Sequence, residues 1–265
     1  MSLTISIFNF ILYQMEDILP LFKSHYSIGR SILTLSEPED SSLDSPDSIL
    51  SLVKEAGLNK FFLIEDNMSG FLEAYVNSKK EGMSLVFGLR LSVCLDMTLK
   101  DEDTLKETCK YLIIVKNNDG YKKLIKIFTS AAKDGFYYTP RIDFKHLNQI
   151  WSETDLQMAI PFYDSFIFNN VMGSAVCIPD FQKIKPIFFI ERNNLPFDPL
   201  IEKRVKQYCE DKYETVLTKS IFYKNKKDFK AYLTARCLNN RTTLSRPKLD
   251  HMSSDEFCFE SWQGK

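Results

Sequence analysis

Side chains suited to acid–base or metal chemistry are scarce in this chain: three histidines, His25, His146 and His251, in 265 residues. With so few, no Ser-His-Asp or Cys-His arrangement for nucleophilic catalysis can be assembled. His25, in KSHYS, is a candidate lone general base, although a histidine with no identified partner is more often structural. The six cysteines, Cys94, Cys109, Cys177, Cys209, Cys237 and Cys258, include no C-x-x-C pair and suggest neither a zinc knuckle nor a redox motif. They read as small buried hydrophobes in a reducing compartment, which favours the cytoplasm. The run KNKKDFK places Lys224, Lys226, Lys227 and Lys230 around a helix start. Such a run can contact a DNA phosphate backbone, but a solvated charged face is its commoner use.

The elements that must position these residues follow from composition and periodicity. Apolar residues at 44% and aromatics at 13% describe a globular chain long enough to bury a large core. Lys plus Arg total 34 against 35 for Asp plus Glu, so no global field draws the chain to nucleic acid, and any DNA contact has to be local. The opening MSLTISIFNFILYQ is apolar but too short to span a bilayer, and it lacks the basic start of a signal peptide. Residues 1–14 are therefore read as an N-terminal extension, residues 15–265 as one domain, and a membrane partner is not expected.

Strands are expected at residues 60–64, 84–95 (broken at Gly88), 111–116, 156–161, 187–191 and 214–218, with a further strand end near Leu21. Helices are expected at 49–56 (capped by Asp47, closed by Gly57), 69–81 (Leu72, Tyr75 and Val76 inward), 143–150, 199–211 and 226–238. Residues 36–48 read as a solvated loop, and 162–171 are ambiguous. Roughly seven strand–helix units imply a mostly parallel α/β sheet, open or closed into a barrel, with function at the carboxyl ends of its strands.

The most informative stretch is NNDGYKKLIKIFTSAAKDGFYYTPRID, residues 117–143. Asn118 or Asp119 can cap a helix there, Tyr121, Leu124, Ile125 and Phe128 make an apolar stripe, and Gly135 stops it before an aromatic turn. The wording GYKKLIKI…GFYYTPRID resembles the PHP domain that opens the alpha subunit of bacterial DNA polymerase III. Further anchors follow in the family's order: KSHYS at 23–27, GFLEAY at 70–75, EGMSLVFGLRLSV at 81–93 and SSDEFCFES at 253–261. The resemblance implies a distorted seven-stranded (β/α) barrel whose strand ends, in active members, hold up to three metals with His, Asp, Glu and Cys ligands.

Carried over residue by residue, that ligand set is largely replaced. The family's H-x-H falls on Leu21 and Lys23, with His25 at an aspartate position. Its T-D-H falls on Leu63, Ile64 and Glu65, or reaches Asp66 with a one-residue slip. The G-C-E glutamate falls on Arg90, the late D-x-H on Ser220 and Phe222, and Asp164 lies near a further ligand position. Ammonium and guanidinium groups offer no lone pair to a metal, and leucine and phenylalanine cannot coordinate one. The expectation is a degenerate site with no metal and no cofactor, in which Lys23 and Arg90 stand in for divalent cations beside Glu65, Asp66 and Asp164. Side chains simply facing solvent are the alternative.

The function implied is a structural platform in DNA replication, docking on a polymerase catalytic portion, a proofreading nuclease or another replisome subunit. No palm is expected in the residues given after this domain, and the chain alone is not expected to polymerise DNA. Alternatives are a metal-dependent phosphoesterase or 3′–5′ exonuclease, and a DNA-binding module using the lysine run.

Overall fold

The computed structural model describes residues 18–37, 46–173, 176–246 and 254–264. The extension expected at 1–14, much of the 36–48 loop, His251 and Ser253 lie outside the described residues. The strands are β1 (Leu19–Phe22), β2 (Lys60–Glu65), β3 (Ser84–Cys94), β4 (Cys109–Val115), β5 (Arg141–Asp143), β6 (Leu156–Ile160), β7 (Ile187–Ile190) and β8 (Thr215–Ile221). The helices are α1 (Ile49–Glu55), α2 (Phe71–Lys80), α3 (Glu102–Lys106), α4 (Asn118–Lys133) and α5 (Phe144–Ile150). They continue with α6 (Phe166–Met172), α7 (Asp198–Cys209), α8 (Phe229–Asn240) and α9 (Phe259–Gln263). Among the described residues, no helix is long and apolar enough to cross a membrane.

The chain divides into two compact units, neither contiguous in sequence. Among the described residues, one comprises Leu89–Ile190 and Pro199–Leu217; the other comprises Ile18–Gly88, Glu191–Asp198 and Thr218–Lys265. In the second unit β1 pairs in parallel with β2 (Leu21 opposite Phe62) and with β8 (Leu21 opposite Ser220). In the first, β7 runs parallel to β6 and β8, β5 runs parallel to β3, and β4 pairs antiparallel with β6. The strand order is β2-β1-β8-β7-β6-β4-β3-β5, and β2 also pairs with β3. Hydrogen bonding therefore closes a cycle of seven strands, with β5 outside it, and the fold is the mixed α/β barrel expected. Parallel strands covered on both faces should be apolar throughout. β6 and β7 are buried at every position.

Several local expectations need correction. Asn117, not Asn118 or Asp119, caps α4, accepting from Gly120 N at 2.9 Å. The inward face is Gly120, Leu124, Ile127 and Ala131, while Ile125 is exposed. The cause is backbone contact: a Cβ on Gly120 would lie 2.1 Å from the Asp155 carbonyl oxygen, so the bare glycine seats the helix and fixes its rotation. Asp155 holds the same end through Asn117 Nδ2 (3.0 Å) and Lys123 Nζ (2.8 Å).

On α2 the residues expected inward, Leu72, Tyr75 and Val76, are exposed, and the buried ones are Ala74 and Ser78. Small side chains let this helix lie close, with Gly70 against the Tyr26 ring and the Tyr26 hydroxyl donating to Glu73 at 2.6 Å. Serine 48, rather than Asp47, occupies the cap position of α1. Strand β3 runs unbroken through Gly88, the ambiguous segment 162–171 leads into α6 (Phe166–Met172), and the three-residue β5 was not foreseen.

Gly120→Ala should lower stability by about 1–3 kcal/mol, the range for forcing atoms into a filled space. Lys122→Ala on the solvent face should change it by less than about 0.5 kcal/mol. Urea unfolding of both variants measures this; equal effects would remove the seating role given to Gly120.

Candidate functional site

In the unit built around β1, the chain turns sharply as it leaves the strand, and that turn is organised by carboxylates at the end of β2. Glu65 is fully buried. A buried carboxylate needs donors, and it accepts from Ser24 N at 2.8 Å and from the Ser27 hydroxyl through a short contact. Ser27 Oγ in turn accepts from Asp66 N at 2.9 Å, so the two turns are stitched to each other. Lys23, 5% exposed, reaches Asp66 Oδ1 with its ammonium at 2.8 Å. The expected companions thus separate: Asp66 takes the cation, and Glu65 takes neutral donors.

The other positions of this unit fall in three places. Leu21 is core, opposite Ser220 on β8. Phe222 is also core, stacked between Tyr232 and Phe257 at 6.0 and 5.6 Å, and its carbonyl receives Ser31 Oγ and Ile32 N. His25 is exposed at the turn, its Nδ1 3.3 Å from the Leu33 carbonyl oxygen and its ring 4.5 Å from that of Tyr26. Both contacts lie within the turn itself.

Ser220 leads to a group that sequence reasoning missed. Glu191, just past β7, is buried and accepts from Ser220 Oγ (2.8 Å), Ser220 N (3.1 Å) and Asn193 Nδ2 (3.1 Å). Burial outweighs these bonds and pushes its carboxyl above the ordinary value. Beside it, Lys219 Nζ donates to the Arg192 carbonyl at 3.1 Å and faces Glu256 at 3.4 Å. The available signal was the acid that ends the apolar run IFFIE, since a charge at a buried strand end must be partnered.

In the other unit Arg90, on β3, forms a short ion pair with Asp164. Asp164 sits at φ 60°, a left-handed backbone that aspartate tolerates better than most residues, and its carbonyl accepts from Lys110 N at 2.9 Å. Half of the lysine run is already committed to carboxylates. Lys224 lies 3.2 Å from Glu55, and Lys226 lies 2.5 Å from Glu256, while Lys227 and Lys230 are exposed. Among the described residues, no three His, Cys, Asp or Glu side chains converge as a metal-binding group.

The sequence model of the PHP domain family matches residues 38–169. Among curated proteins, the chain is 28% identical over 247 residues to the DNA polymerase III subunit alpha of Helicobacter pylori, covering 84% of this chain and 20% of that protein. It is 25% identical over 249 residues to the same subunit of Aquifex aeolicus, covering 83% and 21%. Against the subunit of Borreliella burgdorferi it is 32% identical over 98 residues, 36% of this chain and 8% of that one. The chain spans about a fifth of the length of the first two relatives.

Two outcomes follow from this geometry. Lys23→Met removes the ammonium from Asp66 and should cost about 1–3 kcal/mol, between the values for exposed and buried pairs. The double variant Lys23→Met/Asp66→Leu should recover most of that loss; a fully additive cycle would show that the pair is not coupled.

Because the folded state holds the Glu191 proton more tightly than the unfolded chain, that group's stabilisation is complete below about pH 4.5 and is lost as pH rises toward its folded-state pKa. Glu191→Gln, which cannot ionise, should therefore show a flatter stability profile than the native chain in urea melts between about pH 4 and 8. Parallel profiles would show that Glu191 does not titrate in that window.

Proposed function

Taking the chain as a PHP-domain protein homologous to DNA polymerase III alpha subunits, we propose that it serves DNA replication as a catalytically degenerate, cytoplasmic docking platform. Its partner would be a polymerase catalytic portion, a proofreading nuclease or another replisome subunit. The observation that carries this reading is the ion pair at the β1 turn: at a position where active relatives are expected to present a metal-binding histidine, Lys23 holds Asp66 at 2.8 Å. The pairing of Arg90 with Asp164 in the other unit supports it in the same way.

The residues at these positions do not suit a divalent cation. Leu21 and Phe222 carry no ligand atom, Lys23 and Arg90 are cations, and Ser220 donates its hydroxyl to Glu191. A metal placed beside Lys23 or Arg90 would meet like charge, and the neighbouring carboxylates are already engaged. No hydrolytic step is therefore assigned to these positions.

Elemental analysis of the purified chain, followed by melting with and without excess Mn²⁺ or Zn²⁺, tests the degenerate reading. A ligand present at 100 times its Kd and specific for the folded state adds about 2.7 kcal/mol of stability, which a melt resolves easily. The expected result is no stoichiometric metal and no shift. Stoichiometric metal with a clear shift would overturn the reading and point to phosphoesterase or exonuclease assays.

A further inference from the structure

The aromatic turn at residues 136–140 is assigned no role by the platform reading, yet its backbone is held in an unusual shape. Phe136 is 50% exposed and Tyr138 is 75% exposed. Tyr138 stands at φ 57°, a left-handed conformation that a bulky side chain adopts only when its surroundings hold it there. Tyr137 and Thr139 close the turn around it, each donating its amide to the other's carbonyl at 3.2 and 2.7 Å, and the base of the turn is anchored by Arg141, large, charged and fully buried. Its guanidinium donates to the carbonyls of Gly135 (3.3 Å) and Leu99 (2.8 Å) and to Thr104 Oγ1 (3.1 Å), and it lies 5.1 Å from the centre of the Tyr137 ring. Gly135 admits no side chain, since a Cβ there would lie 1.9 Å from the Arg141 carbonyl oxygen.

One buried cation thus binds together the segment before α3, the first turn of α3 and the aromatic turn. On the segments that Arg141 ties together, and just past the end of β3, Leu95, Leu99 and Leu105 are exposed, as are Phe136 and Tyr138. A strained tyrosine and several leucines left in water are unfavourable for an isolated surface, and exposed apolar side chains that gather mark interaction sites. The rim supplies the partner's charge. Asp101 and Glu102 open α3 close enough to help raise the Tyr137 phenol, after burial and Tyr138. Of the two lysines in residues 100–106, Lys106 is committed to Asp103 at 2.7 Å and Lys100 is exposed, against the three acids Asp101, Glu102 and Asp103. An acidic rim repels a nucleic-acid backbone and favours a basic polypeptide.

We propose that these side chains form the docking face for a polypeptide segment that combines apolar side chains with lysine or arginine. The proposal rests on the platform reading, for which it names the contact surface and the chemistry of the partner. The exposed aromatics would be its anchors and Glu102 its charge selector.

The test is fluorescence anisotropy of the full chain with a labelled, roughly twelve-residue peptide built from leucine, phenylalanine and lysine. A counterpart with glutamate for lysine and a single-stranded oligothymidylate serve as the other probes. Saturable binding of the basic peptide should weaken about tenfold in Tyr138→Gly, which removes an anchor ring while relieving the left-handed strain. It should weaken about threefold or more in Glu102→Lys, with the wild-type affinity falling as salt rises. Equal binding by wild type and both variants, preference for the acidic peptide or the oligonucleotide, or no binding of the basic peptide would overturn the proposal. The metal measurement is independent of this one: metal uptake together with the expected peptide pattern would sink the degenerate reading and leave the docking face standing.

Discussion

A charge taken out of water needs partners held in fixed positions, and that requirement shapes several loops of this chain. Three buried ionisable groups sit where the backbone changes direction. Glu65 collects a backbone amide and a hydroxyl from the turn after β1. Arg141 collects two carbonyls and a hydroxyl from segments far apart in sequence. Glu191 collects the hydroxyl and amide of Ser220 together with the Asn193 amide. The strands can be apolar and interchangeable because the loops are specified by these hydrogen-bonded ions. Hydrophobic burial supplies the drive to fold, and the ions choose which turn follows which strand.

The fold was legible because its signals are local and repeated. Apolar runs such as YLIIV and IFFI leave little doubt about buried strands, and glycines at 57 and 82 close the helices before them. Legibility failed where a contact distant in sequence decides the outcome. The rotation of α4 depends on the Asp155 carbonyl, 35 residues beyond Gly120, and nothing within the helix announces it. The face of α2 was misread for the same reason: periodicity favoured its large residues, but close approach selected alanine and serine.

The candidate positions divided along the same line. Family wording located Lys23, Asp66, Arg90 and Asp164, and charge complementarity alone predicted that cations and carboxylates would meet. It could not say which would pair with which, because the choice between Glu65 and Asp66 depends on the serines at 24 and 27 claiming Glu65 first. Glu191 and Arg141 were passed over because a single charged residue at a strand end looks like a boundary marker. Only the folded chain distinguishes a solvated boundary charge from a buried organiser.

What a lysine can and cannot do at such a turn argues for the non-catalytic reading. A divalent cation gathers several oxygens at once, leaves room for water and lowers the pKa of that water, which makes it a catalyst. An ammonium supplies three donors and one charge, and it leaves no open coordination position. It can keep the β1 turn against the end of β2, as Lys23 does through Asp66, without depending on metal supply. It cannot activate a nucleophile by coordinating it. A turn ordered by a covalently attached cation retains its shape and gives up hydrolytic chemistry, and shape is the property a docking surface requires.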